Sequence, residues 1–227
     1  MRLLRRRLRE DHGVTVTEVM VTIALLSVVV GFVLQGFASL QNASAGADLR
    51  MINLGEARLL MDTVTKDLRT AVRLGSTESP FLLADDKEVT FYANLNLSSA
   101  CPKKVHLYVD ADTQLLEEVT EPNAGGTPPN CTYTGASTTR FVGQYVANSP
   151  SEPIFTYFYD SGGSTDVAFG SASTPLSAAD LLLVNGVGVR LSIRKDTNYT
   201  VADTTLINKV RLPNVDYNPL PSGSPSP

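Results

Sequence analysis

Histidine and cysteine are scarce in this chain, which leaves little from which to build a histidine- or cysteine-based catalytic site. The 227 residues hold two histidines, His12 and His106, and two cysteines, Cys101 and Cys131. No serine, histidine and acid suggest a nucleophilic triad, and no paired cysteines stand at zinc spacing. His106 lies in the alternating run 104–110, KVHLYVD, where a sheet position explains it better than general-base work. No proline precedes Pro80, so nothing of that kind breaks a helix in the first third of the chain. Internal repeats are absent. Basic residues are in deficit, 19 against 23 acids, and five of the arginines fall before residue 10. Without that leader the formal charge moves from −4 to −7, since two acids leave with five arginines. Such a chain is a poor non-specific binder of nucleic acid, and none is expected as a partner.

Against these absences stands one long apolar run. From 14 to 34 the only polar side chains are Thr15, Thr17, Glu18, Thr22 and Ser27. A bilayer core takes about 20 helical residues, and threonine and serine hydroxyls can bond back to the helix's own carbonyls. Glu18 is the exception, because a carboxyl in hydrocarbon costs about 3 kcal/mol on insertion scales. Before the run, Arg2, Arg5, Arg6, Arg7 and Arg9 face only Glu10 and Asp11. That bias orients the span with its leader in the cytoplasm and everything after 34 outside. A secretory signal peptide is the competing reading, but the run is long and only Ala43-Ser44-Ala45 approaches a small-residue cleavage site.

The stretch GVTVTEVMVTIALL resembles the class III signal of type IV pilins and type II secretion pseudopilins. Gly13 matches the residue before the cut, Val14 the first residue of the mature chain, and Glu18 the glutamate five residues into it. Val14 stands where phenylalanine is commonest, and Thr17 where a large aliphatic is usual. Gln35-Gly36 lies where many major pilins carry a proline, which argues for a minor subunit. Later segments (LLMDTVTKDLRTAVRL, KVHLYVD, PIFTYFYDSGG, VGVRLSI and KVRLPN) follow in the order of J-type minor pseudopilins and similar minor pilins. The resemblance implies cleavage between Gly13 and Val14 by a prepilin peptidase, N-methylation of Val14, and a role for Glu18 in subunit register. It implies other pilin or pseudopilin subunits and the membrane, crossed once, as partners. The implied place is the bacterial cytoplasmic membrane, then a cell-surface or extracytoplasmic filament.

The expected fold class is α+β: a long N-terminal helix, membrane-spanning in its first half, packed on an antiparallel β-sheet domain. Five regions follow: leader 1–13, transmembrane or filament-core helix 14–36, amphipathic continuation 37–75, β-rich pilin-like domain 76–217, and Pro/Ser-rich tail 218–227. The helix is expected over 14–74 and weakest near Gly36 to Gly46, since glycine costs about 1 kcal/mol in a helix interior. Leu60, Val64, Leu68 and Ala71-Val72 repeat at helical period and predict the buried stripe, while Asp62, Lys66, Arg69 and Arg73 take other faces. Arg69 and Arg73 suit the last turn and Gly75 a C-cap. Strands are expected at 88–94, 104–110, 114–120, 140–147, 154–160, 187–195 and 207–212. Asp110-Ala-Asp-Thr113 reads as a hairpin turn, Asn185-Gly186 as a turn signal, and 121–139 and 160–175 as surface loops.

An even pair of cysteines outside the cytoplasm reads as a disulfide, Cys101 to Cys131, with free or metal-bound thiols as the competing reading. Asp110 with Asp112, and Asp160 with Asp166, carry calcium-type ligands, but turn chemistry explains both pairs more simply. Asn42, Asn96, Asn130 and Asn198 fit the N-x-Ser/Thr pattern by chance. No catalytic residue, metal or cofactor is expected. The chain reads as a structural subunit, for which a seat at a filament tip is one expectation, with a membrane-anchored extracellular binding module or pilus-tip adhesin as the alternative.

Overall fold

The computed structural model describes residues 14–75, 77–95, 100–110, 112–123, 126–160, 166–169, 175–195 and 201–215. The leader 1–13 and the tail 218–227 lie outside the described residues. The chain divides between Asp48 and Leu49 into two units. Helix α1, Val16–Arg69, contributes 54 residues to them. It is continuous through Gly31, Gly36, Gly46 and Gly55, so the softening expected near 36–46 does not interrupt it.

In the second unit, α1 buries Asn53, Ala57, Leu60, Met61, Val64, Thr65, Asp67 and Leu68. The predicted stripe is therefore present and extends two turns further back. Fully burying side chains of this kind stabilises by about 1.5–3 kcal/mol each. The helix stops five residues earlier than expected. Thr70 N–H and Ala71 N–H bond to the carbonyls of Asp67 and Leu68, three residues back. Val72 N–H then donates to Tyr92 O at 2.9 Å and Asn94 N–H to Thr70 O at 2.9 Å. A strand edge thus takes the backbone groups that another helical turn would have used. Arg73, expected in the last turn, lies beyond it and donates to Glu78 O at 3.2 Å and Leu182 O at 2.9 Å.

Two antiparallel sheets cover the helix. The first is a five-stranded meander in chain order: β1 Phe81–Ala84, β2 Glu88–Ala93, β3 Lys103–Val109, β4 Leu115–Thr120 and β5 Ser137–Gly143. The second holds β6 Phe155–Asp160, β7 Asp166–Ala168, β8 Val184–Ile193 and β9 Thr204–Arg211, ordered β7-β6-β8-β9. A short helix α2, Ala178–Leu181, starts where Ser177 accepts the Asp180 N–H. Alternation places Val89, Phe91, Val105 and Leu107 in the core while Thr90 and His106 pair on the opposite face.

The expected α+β class holds, with the strands divided between two sheets. Six of the seven expected strands overlap the observed ones closely. The run expected at 140–147 is instead β5, shifted toward the N-terminus, because Tyr145 at φ 66° turns the chain out of the ladder. Val146 then bridges to Ile193 of β8 and ties the sheets together. The loop expected at 160–175 contains β7. Asn185-Gly186 makes no turn: both lie within β8, where Asn185 O accepts from Leu212 N–H at 3.0 Å. The aromatic side chains of Phe81, Phe91 and Tyr157 join the sheets, with ring centroids 6.1 and 6.2 Å apart.

One backbone approach fixes where β5 meets the helix. A Cβ at Gly143 would lie 2.4 Å from Leu60 Cδ2 and 2.9 Å from Glu56 Oε1. Nothing lies within 4 Å of the same position on Gly55. Gly143→Ala is expected to lower unfolding stability by about 1–3 kcal/mol through overpacking, whereas Gly55→Ala raises it by up to about 1 kcal/mol. Urea unfolding of the two variants beside the parent measures both, and equal effects would show that the Leu60 contact does not constrain β5.

Candidate functional site

The apolar run occupies the first part of α1, in the first unit. Its large side chains are all exposed, from 44% at Val19 to 74% at Val16. The segment is long and apolar enough to cross a membrane. A helix apolar on every side has no aqueous face of its own, unlike the one-sided stripe of the second unit. Within it the hydroxyls find backbone partners, as Thr22 donates to Val19 O at 2.9 Å and Ser27 to Ala24 O at 2.7 Å. Neither hydroxyl therefore presents an unmet donor to hydrocarbon.

Glu18 lies in the first turn of α1. Thr15, just ahead of the helix, accepts the Glu18 N–H on its backbone carbonyl at 3.0 Å and on its hydroxyl at 3.3 Å. Thr15 is thus the N-cap and Glu18 the third helical residue, the Thr-x-x-Glu order of a capping box. A carboxylate there is also favoured by the helix dipole, by about 0.3–1 kcal/mol at an exposed site. This local role was missed in the sequence, although the pattern Thr15-Val-Thr-Glu18 displays it. Val14 precedes the cap and is exposed. Gly13 lies outside the described residues.

Cys101 and Cys131 are brought together as a disulfide with Cα atoms 5.9 Å apart. Cys101 is buried just before β3, and the bond fixes the segment of residues 121–123 and 126–135 against the sheet. In that segment Asn123 accepts from Thr134 N–H at 3.1 Å and donates to Thr134 Oγ1 at 2.7 Å. Tyr133 donates to Pro102 O at 2.8 Å, with its ring 5.4 Å from that of Tyr92. Burial, then the neighbouring Tyr92, pushes the Tyr133 phenol up to about 12.

The remaining candidates resolve into structural roles. His106 bonds through Nε2 to Glu88 Oε2 at 2.9 Å and stacks on Tyr108 at 4.7 Å. Asp110 accepts from Asp112 N–H at 3.0 Å and Gln114 N–H at 2.9 Å, which is turn chemistry. Asp160 and Asp166 face each other at the β6–β7 end by backbone register. No group of three or more metal-ligating side chains occurs among the described residues.

A buried charged cluster has no counterpart in the sequence reading. Asp67 on α1 and Glu117 on β4 are both buried, and Arg140 of β5 reaches both. Asp67 sits three residues after Val64, on the buried face, which is the signal that could have found it.

With the geometry in place, the family comparisons add no assignment. No protein-family model, curated protein or solved structure matches the chain. The fold itself, a long N-terminal apolar helix packed on antiparallel sheets, is pilin-like in architecture.

The disulfide yields a measurable consequence. Closing a loop of 30 residues stabilises by about 3.6 kcal/mol on the chain-entropy model. Replacing both cysteines by serine is expected to lower stability by up to that amount, read by urea unfolding. Peptide mapping without reductant should recover Cys101 and Cys131 in one linked fragment; two alkylatable thiols in native material would contradict the pairing.

Proposed function

We propose that this chain is a minor pilin or pseudopilin, a structural subunit that assembles through its N-terminal helix into a type IV pilus or type II secretion-like filament. The observation that carries the reading is α1. Its first part is apolar all round with one acid in the first turn, and its later part carries a one-sided stripe covered by antiparallel sheets. The sequence match at Gly13, Val14 and Glu18 adds the specific family to that architecture.

On this reading a prepilin peptidase cuts between Gly13 and Val14 and leaves a new amine on Val14, which is then methylated. The amine supplies a positive group at Val14, where the uncut chain has a neutral peptide bond. In a packed filament Glu18 would face apolar helices, where an unpaired carboxylate costs several kcal/mol. Pairing Glu18 with the Val14 amine of an adjacent subunit relieves that cost and fixes axial register. A slip of one helical turn, about 5.4 Å, separates the charges.

The Thr-x-x-Glu order at the helix start offers a purely local reason for an acid at position 18, and glutamine separates the two. Glu18→Gln keeps a side chain suited to the capping box but removes the charge. Both Glu18→Gln and Glu18→Ala are expected to be inserted and cleaved normally yet to lose association with neighbouring subunits. Glu18→Asp, with its shorter reach, falls between. Crosslinking and filament recovery at equal expression test this. Wild-type behaviour of Glu18→Gln would assign the residue to the helix start alone. Intact mass tests the processing step: a mature mass that retains the arginine leader, or begins near Ala45, sinks the family assignment.

A further inference from the structure

A buried group of titratable side chains that the proposed function does not use joins α1 to the β4–β5 hairpin. Glu117 on β4 is fully buried, and Asp67 on α1 is 4% exposed. Arg140 on β5 stands directly across from Glu117 in the β4–β5 register. Its Nε donates to Glu117 Oε2, and its Nη2 donates to Asp67 Oδ2 at 3.0 Å. The second Glu117 oxygen, Oε1, is buried with no hydrogen-bond partner. On the other side of Glu117 the register places Leu107 of β3, which is apolar. Lys66, next to Asp67 on α1, is exposed and is the other cation whose field reaches that carboxylate.

Two buried carboxylates therefore share one guanidinium, whose own side chain is half-exposed. With both ionised the cluster carries a net negative charge, and one of its oxygens has no donor. Burial of two like charges beside a single cation disfavours ionising both of them. We infer that Asp67, Glu117 and Arg140 form a proton-holding latch: the carboxyl pair keeps one proton where ordinary carboxyls have lost theirs, and the grip of the β4–β5 hairpin on α1 weakens as that proton leaves.

The direction of the pH effect follows from the sign of the shift. Burial raises the Asp67 carboxyl above its ordinary value of 3.8, with Arg140 and Lys66 opposing. The folded chain then binds the shared proton more tightly than the unfolded chain does. The resulting stabilisation is fully present below the ordinary carboxylate range and is lost as pH rises through the pair's folded value.

Glu117→Gln and Asp67→Asn are nearly isosteric and each fix the neutral partner permanently. The full-length protein in detergent micelles, in a Glu18→Gln background so that the apolar helix contributes no acid, provides the test. Urea midpoints are followed upward from about pH 4, where an ordinary aspartate loses its proton. The parent's midpoint is expected to fall more steeply with rising pH than that of either amide variant. Above the range in which ordinary aspartates and glutamates lose their protons, its infrared spectrum should show a protonated-carboxyl band that both variants lack. Parallel stability curves for all three proteins overturn the latch. Should an amide variant not fold, the parent's spectrum decides. A carboxyl band that disappears as pH rises above the ordinary aspartate range supports the shared proton, and its absence at and above that range overturns it.

Discussion

Neither sheet of the second unit closes its own inner face; both do so on the same few turns of α1. Leu60, Val64 and Leu68 are fully buried, and the apolar positions of β2, β3, β8 and β9 join them in one core. Polar ties run from the same helical segment to both sheets. Glu56 accepts from Gln144 N–H at 3.1 Å after β5, and Thr65 accepts from Asn208 of β9 at 3.2 Å. Asn53 accepts from Lys195 N–H at 3.1 Å beyond β8. Removing the stripe would expose two sheet faces at once, so the helix is the structural centre of the unit. Leucine-to-alanine changes in well-packed cores cost about 2–5 kcal/mol, and Leu60 and Leu68 meet the conditions for the upper part of that range.

Apolar burial explains why the helix is covered, but not why it sits at one rotation and height. A stripe of leucine, valine and alanine tolerates small slides, since similar side chains exchange places at modest cost. The polar contacts do not tolerate them. Asn53, Asp67 and Glu117 are buried, and losing their partners incurs desolvation without compensation. Gly143 adds a steric limit, because there the backbone passes Leu60 too closely for a Cβ to fit between them. Packing supplies the driving force, and a few polar and steric contacts select the arrangement.

The parts of this fold legible in the sequence are those carried by local pattern. The stripe at Leu60, Val64 and Leu68 and the alternating strands β2, β3 and β4 are set by period and by which residues avoid water. The Asp110 turn was legible for the same reason, because its side chain bonds backbone groups only two and four residues on. What escaped depends on partners distant in sequence. The end of α1 is decided by the edge of β2, more than twenty residues later. Asn185-Gly186 carries a strong turn signal, yet β8 is covered by β6 and β9 on its two sides and stays extended. At Gly188 a Cβ would meet Thr156 Oγ1 at 2.3 Å, so the adjoining glycine-rich run serves close strand packing. β1 and β7, four and three residues long, are too short to show a period. Of the Asp67–Glu117–Arg140 cluster only the place of Asp67 on the buried stripe is legible locally; its pairing with Glu117 and Arg140 is not, because the bonded members are 23 or more positions apart.

Glu18 shows how a local requirement and an assembly requirement can share one residue. A helix start leaves backbone N–H groups without intrahelical acceptors. Thr15 meets one of these, and an acid three residues on complements the positive end of the dipole. That benefit is about 1 kcal/mol at most, whereas insertion scales charge about 3 kcal/mol for an acid deep in hydrocarbon. Depth therefore decides the balance. Near the end of a span the carboxylate can reach the interface and the cap alone could retain it. Surrounded by apolar helices it cannot, and capping falls short of compensating burial. A positive group from outside the helix is then required, and on the proposed function the Val14 amine of a neighbouring subunit would meet that need. The Thr15 cap holds the first turn in helical form and so keeps Glu18 at a fixed spacing from Val14. On that proposal Thr15 would support subunit register without contacting a neighbour.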